Sequence, residues 1–102
     1  MNGKVDRIRV IESAEKHVKA GKLKEAIAEY ERLLGGVPQD FAISNIIGDL
    51  HITLGQNDKA AAAFRDVATE YEKRGLYSQA LAVFKKVVKI KPDDPENSVK
   101  LA

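Results

Sequence analysis

The sequence predicts an all-α fold organised as a helix-turn-helix repeat, with five helices and the truncated start of a sixth. Gly21, Gly55 and Gly75 each follow a run with helical hydrophobic spacing and precede another, as glycine does when it closes a helix at φ > 0. Gly21 and Gly55, His17 and His51, and Ala26 and Ala60 all lie 34 residues apart, the period of one structural unit. The composition, 44% hydrophobic and 31% charged with three Pro, suits a well-solvated helical globule and excludes collagen-like and disordered classes.

Each element follows in order. Helix one places Ile8, Ile11, Ala14 and Val18 at three- and four-residue steps before Gly21. Helix two continues with Leu23, Ala26, Ile27, Tyr30, Leu33 and Leu34 and is stopped by Gly35-Gly36 and Val37-Pro38, since proline disfavours a helical residue before it. Asp40 is the predicted N-cap of helix three, whose apolar residues are Phe41, Ile43, Ile46, Ile47, Leu50 and Leu54. Helix four starts at Asn57 or Asp58 as capping residues, runs to about Arg74 and is expected to be the longest. Helix five spans about Tyr77 to Lys91, carries Ala80, Leu81, Phe84, Val87 and Val88, and ends at Pro92. Asp94-Pro95 reads as an N-cap and first helical residue of a sixth helix; one or two turns are unstable alone, so a piece of a longer array is expected.

Aligned on their central alanines, the units read Val10-x2-Ser13-Ala14-x2-His17, Gly21, Ala26-x3-Tyr30, Pro38, and then Ser44-x2-Ile47-Gly48-x2-His51, Gly55, Ala60-x3-Phe64. This resembles the tetratricopeptide repeat family, as a fragment of a bacterial-type array, whose pattern is W-x2-L-G-x2-Y, then A-x3-F, then P. Glu72 stands where the second unit would have its proline. A third match, Phe64-x2-Val67-Ala68-x2-Tyr71 with Gly75, Ala80-x3-Phe84 and Pro92, begins only 20 residues after the second. One helix has been skipped, so helix four serves both neighbours. Its apolar arc, Ala60, Ala61, Ala63, Phe64, Val67, Ala68 and Tyr71, spans roughly 160°, wider than the roughly 100° stripe of a helix with one partner. The single domain, 1–102, therefore divides into units of about 6–39, 40–73 and an overlapping 61–94, with 95–102 opening a further helix.

At 102 residues the chain is too short for a two-domain enzyme. It has no Cys, no G-x-S-x-G and no phosphate-cradling loop, which disfavours nucleophilic catalysis, thiolate metal sites and any cofactor. His17, His51 and Tyr71 share one place in the repeat, so the histidines read as interhelix packing rather than as a metal site. A net charge of +2 is too balanced to imply nucleic acid, and Lys85, Lys86, Lys89 and Lys91, with Lys4, Arg7 and Arg9, read as solvated faces. No signal peptide or membrane span is evident, so a cytoplasmic protein without a membrane partner is expected.

The resemblance implies a non-catalytic scaffold whose first helices line a concave groove for a peptide or helix of a partner protein. The predicted groove stripe is Ile8, Ile11, Glu15 and Val18 on helix one and Ala42, Asn45, Asp49 and Ile52 on helix three. Ala62, Arg65, Thr69 and Glu72 on helix four complete it. Its acids and aliphatic residues suit a ligand with aliphatic anchors and net positive charge. Family members that clamp the carboxylate tails of chaperones use Lys, Asn and Arg there. Ile11 and Glu15 replace the Lys and Asn of the first repeat, and only Asn45 and Arg65 remain suitable, which disfavours that activity. The alternative is a spacer or self-association module, pairing through apolar residues such as Val87 and Val88 on helix five.

Overall fold

The computed structural model describes residues 3–34 and 40–92, as five helices: α1 Gly3–Lys19, α2 Leu23–Leu34, α3 Phe41–Thr53, α4 Asn57–Lys73 and α5 Tyr77–Ile90. No strand occurs among the described residues. The stop at residues 35–38 and the sixth helix at Asp94-Pro95 lie outside them.

The three glycine corners are built alike. Gly21, Gly55 and Gly75 have φ of 78°, 76° and 76°. At each, the next residue's N–H returns to the carbonyl five residues back: Lys22 to His17, Gln56 to His51 and Leu76 to Tyr71, all at 2.8 Å. This is the Schellman closure, which satisfies carbonyls that the helix end leaves open. The same three residues then accept the first bond of the following helix through their own carbonyls, from Ala26, Ala60 and Ala80. One residue thus ends one helix and starts the next, so consecutive helices are forced into antiparallel hairpins.

Asp40 caps α3 as its position predicts, its carboxylate accepting from the Ile43 N–H at 3.1 Å. Its other oxygen pairs with Arg7 of α1. For α4 the expectation fails: neither Asn57 nor Asp58 caps it, and the N-cap position belongs to Gln56. The Gln56 amide oxygen is engaged instead with His51 Nδ1 at 2.9 Å, a bond across the glycine corner that draws it away from the helix end. Nor is α4 the longest helix, since α1 also has 17 residues.

Each helix packs on its chain neighbours, and α4 packs on both α3 and α5. Side chains bridge alternate helices: Arg7 to Asp40 ties α1 to α3, and Lys86 to Asp49, at 3.3 Å, ties α3 to α5. The rods therefore form two rows, with α1, α3 and α5 in one and α2 and α4 in the other. The core is divided at α3. Ala14, Ala26, Ile27, Tyr30, Ile43, Ile47 and Leu50 make one cluster. Ala60, Ala61, Phe64, Val67, Ala68, Val83, Phe84 and Val87 make the other, which Phe41 and Ile52 of α3 join from the side. The repeat alanines Ala26, Ala60 and Ala80 are buried, and the aromatics Tyr30, Phe64 and Phe84 fill the space beside them.

Candidate functional site

The predicted groove stripe is distributed over both rows. On α1, Ile8 is half exposed and Glu15 is exposed, while Ile11 is half-buried and Val18 packs against the first cluster. On α3, Ala42 and Asp49 stand at the surface. Ile52 packs into the second cluster, and Asn45 is half-buried with its amide oxygen lacking a hydrogen-bond partner among the described residues. The surface stripe that α1 and α3 share is therefore Ile8, Ile11, Glu15, Ala42 and Asp49. Arg65 and Thr69 are half-buried and Glu72 exposed on α4, in the other row, whose inner face is taken up by α3 and α5. Ala62 is on the far side of α4. The helix that flanks α3 in its own row is α5, and its Lys86 reaches Asp49 while also lying 4.2 Å from the centre of the Phe64 ring.

The two histidines are built into interhelix contacts. His51 is buried on Gln56; His17 Nδ1 meets Glu29 Oε2 at 3.1 Å, and the Ser13 hydroxyl donates to Glu29 Oε1 at 2.8 Å. The Ser13 bond holds the Glu29 carboxyl below its ordinary value, against desolvation, with further lowering from His17 and Arg32. Burial, with Glu15 and Glu29 nearby, pushes the Tyr30 phenol up. This α1–α2 polar clamp was not foreseen, although Ser13 and His17 at i and i+4 share one helix face. Tyr71, the third residue of the histidine place, packs on Phe41 with ring centroids 4.4 Å apart and ring planes tilted by 42°. Among the described residues no group of His, Asp and Glu could hold a metal ion.

Both basic clusters named from the sequence contain paired residues. Arg7 is paired with Asp40, Lys86 with Asp49 and Lys91 with Asp58, so they serve as interhelix ties. At the start of α5, its N-cap Leu76 and the helical Tyr77 and Leu81 are 37%, 69% and 48% exposed. Val87, by contrast, is fully buried, so it belongs to the core and not to a pairing face; Val88 is half-buried.

A concavity lies on the other side of α3. A cleft of about 640 Å³ opens between α2 and α4 with α3 as its floor. Ile27, Ile47, Leu54 and Val67 line it, and Lys24, Glu31, Lys59 and Asp66 stand on its rim.

Tight antiparallel hairpins stacked in two rows, with small residues at the crossings, define a helical repeat protein of the class that offers long side-chain surfaces to other proteins. The chain belongs to the tetratricopeptide repeat family: its models match residues 12–73 and 66–94, overlapping within α4. Among solved structures it is similar to the first tetratricopeptide repeat domain of Spaghetti (RPAP3) bound to the HSP90 peptide SRMEEVD. That likeness has a TM-score of 0.54 at 19% identity and covers 92% of this chain and 88% of the other. It shows the fold alone. No curated protein matches the chain. Domains of this family are protein-interaction modules, and no described helix is long and apolar enough to cross a membrane.

Proposed function

We propose that this chain is a non-catalytic module that binds a peptide or helix of a partner protein along the surface shared by α1 and α3. The observation that carries this is the exposure of Ile8, Glu15, Ala42 and Asp49 on two helices of one row, tied together by Arg7 and Asp40. Preformed rods hold these side chains at set spacing, so binding does not have to order the receptor. The similar RPAP3 domain is bound to the HSP90 peptide SRMEEVD, which lends support to peptide binding in general. The ligand of this chain is different, because Ile11 and Glu15 stand where a carboxylate clamp needs Lys and Asn. Aliphatic anchors for Ile8 and Ile11 and a base for Glu15 are the chemistry this stripe favours.

A peptide array probed with the labelled protein tests this reading. Spots with aliphatic and basic residues should bind, and Glu15→Lys with Ala42→Arg should abolish their binding without lowering the melting temperature. Unchanged binding by that variant sinks the proposal.

The exposure of Leu76, Tyr77 and Leu81 favours a second reading, self-association through the end of the array. Light scattering should then show a concentration-dependent dimer that Leu81→Glu dissolves. A monomer at all concentrations removes it.

A further inference from the structure

We propose that the cleft between α2 and α4 is a second docking site, which accepts one aromatic side chain from a helical segment of a partner protein. That segment carries a basic residue beside the aromatic and an acidic residue about two turns away. The site is separate from the α1–α3 surface, because it opens on the opposite side of α3 from Ala42 and Asp49.

One residue helps to leave this space open. Ser44 occupies the position where the repeat pattern has tryptophan, whereas Val10 and Phe64 fill the equivalent positions of the other units. A serine side chain leaves much of an indole's volume empty, and Ser44 lines the resulting cleft. Its about 640 Å³ falls within the range of concave binding sites. The walls are aliphatic, from Ile27, Ile47 and Val67, so a partner's ring entering there exchanges water for packed hydrocarbon.

The rim specifies what flanks that ring. Lys24 and Glu31 on α2 are seven residues apart, as are Lys59 and Asp66 on α4, so each pair spans about 10 Å along one helix face. Both helices run antiparallel to α3 and so parallel to each other. Their lysines therefore gather at one end of the cleft, reinforced by two positive helix N-termini, and their acids at the other. All four are exposed, and none is in an ion pair with another described residue. Because α3 runs the opposite way, Ser44 near its start lies at the acidic end. The complementary segment thus has its base beside the aromatic and its acid near Lys24 and Lys59.

The test uses three labelled Ala-rich peptides of about fourteen residues. One carries Trp with Lys at the next turn and Glu about seven residues away, the second has Lys and Glu exchanged, and the third has Trp replaced by Ala. Fluorescence anisotropy should show the first binding about tenfold or more tighter than either other. Ser44→Trp, which fills the cleft from within, should remove that binding and raise the melting temperature. Reversing all four rim charges should invert the preference between the first two peptides, and this variant serves also if Ser44→Trp fails to fold. Ala42→Arg, which alters the opposite surface, should leave the ranking of these three peptides as it is, and this separates the cleft from the α1–α3 groove. Equal binding of the charge-exchanged peptides, or undiminished binding by a folded Ser44→Trp protein, overturns the proposal.

Discussion

Gly48 of α3 lies directly against the ring of Phe64 on α4: a Cβ on residue 48 would stand 2.6 Å from Cζ and 2.7 Å from Cε1. The ring has little room to retreat, because it is fully buried and the Lys86 ammonium from α5 rests 4.2 Å from its centroid. Gly48→Leu is expected to destabilise the protein by about 1–3 kcal/mol through overpacking. Gly48→Ala gains about 1 kcal/mol of helix propensity and still loses to the contact. Urea denaturation of both variants checks this. In a Phe64→Leu background, the cost of Gly48→Ala should shrink, because the clashing atoms are gone.

Phe64→Ala should cost about 3–5 kcal/mol, the usual range for emptying a buried aromatic site. The divided core makes the loss uneven. Phe64 belongs to the α4–α5 cluster, so native-state hydrogen exchange should accelerate in α4 and α5 more than in α1 and α2. Uniform acceleration across all five helices would show that the two clusters act as one unit.

The fold was legible because its determinants are local and periodic. A glycine that must take φ near 76° announces each corner, and Ala60 with Phe64 announces a close crossing wherever the pair recurs. The wide apolar arc of α4 foretold its two partners for the same reason. The cap of α4 was not legible, since the Gln56 side chain turns back across the corner to His51 instead of capping its own helix. The position of α5 beside α3 escaped as well, because it is expressed by Lys86 and Asp49, 37 residues apart. That is why a stripe drawn through Arg65, Thr69 and Glu72 lands in the other row. The α2–α4 cleft had one sequence signal, a serine where the pattern has tryptophan, and a missing side chain is visible only against the repeat.

The corners themselves supply a third prediction. An added Cβ at Gly55 would meet nothing within 4 Å, so any cost of Gly55→Ala is conformational and not steric crowding. A left-handed residue with a Cβ costs about 1–2 kcal/mol. Gly55→Ala should therefore lower stability by that amount, and Gly55→Asn by less, since asparagine tolerates this region. Thermal melts that rank alanine at or above asparagine would contradict the assignment of the Schellman closure.

Glu29 gives the chain a sensitivity to acid. Its carboxyl is held below the ordinary 4.5 first by the Ser13 hydroxyl and then by His17, while desolvation opposes them. A carboxyl that releases its proton more readily in the folded state contributes stability above its unfolded pKa and loses that contribution as pH falls through the folded value. Wild type should thus lose more stability between about pH 5 and pH 3 than Glu29→Gln does. Ser13→Ala should move the Glu29 titration upward by removing the largest single cause, and His17→Ala should do so by removing both a hydrogen bond and a charge. Carboxyl NMR titration measures both shifts, and a wild-type Glu29 that titrates at or above 4.5 would remove the clamp between α1 and α2 from any account of acid unfolding.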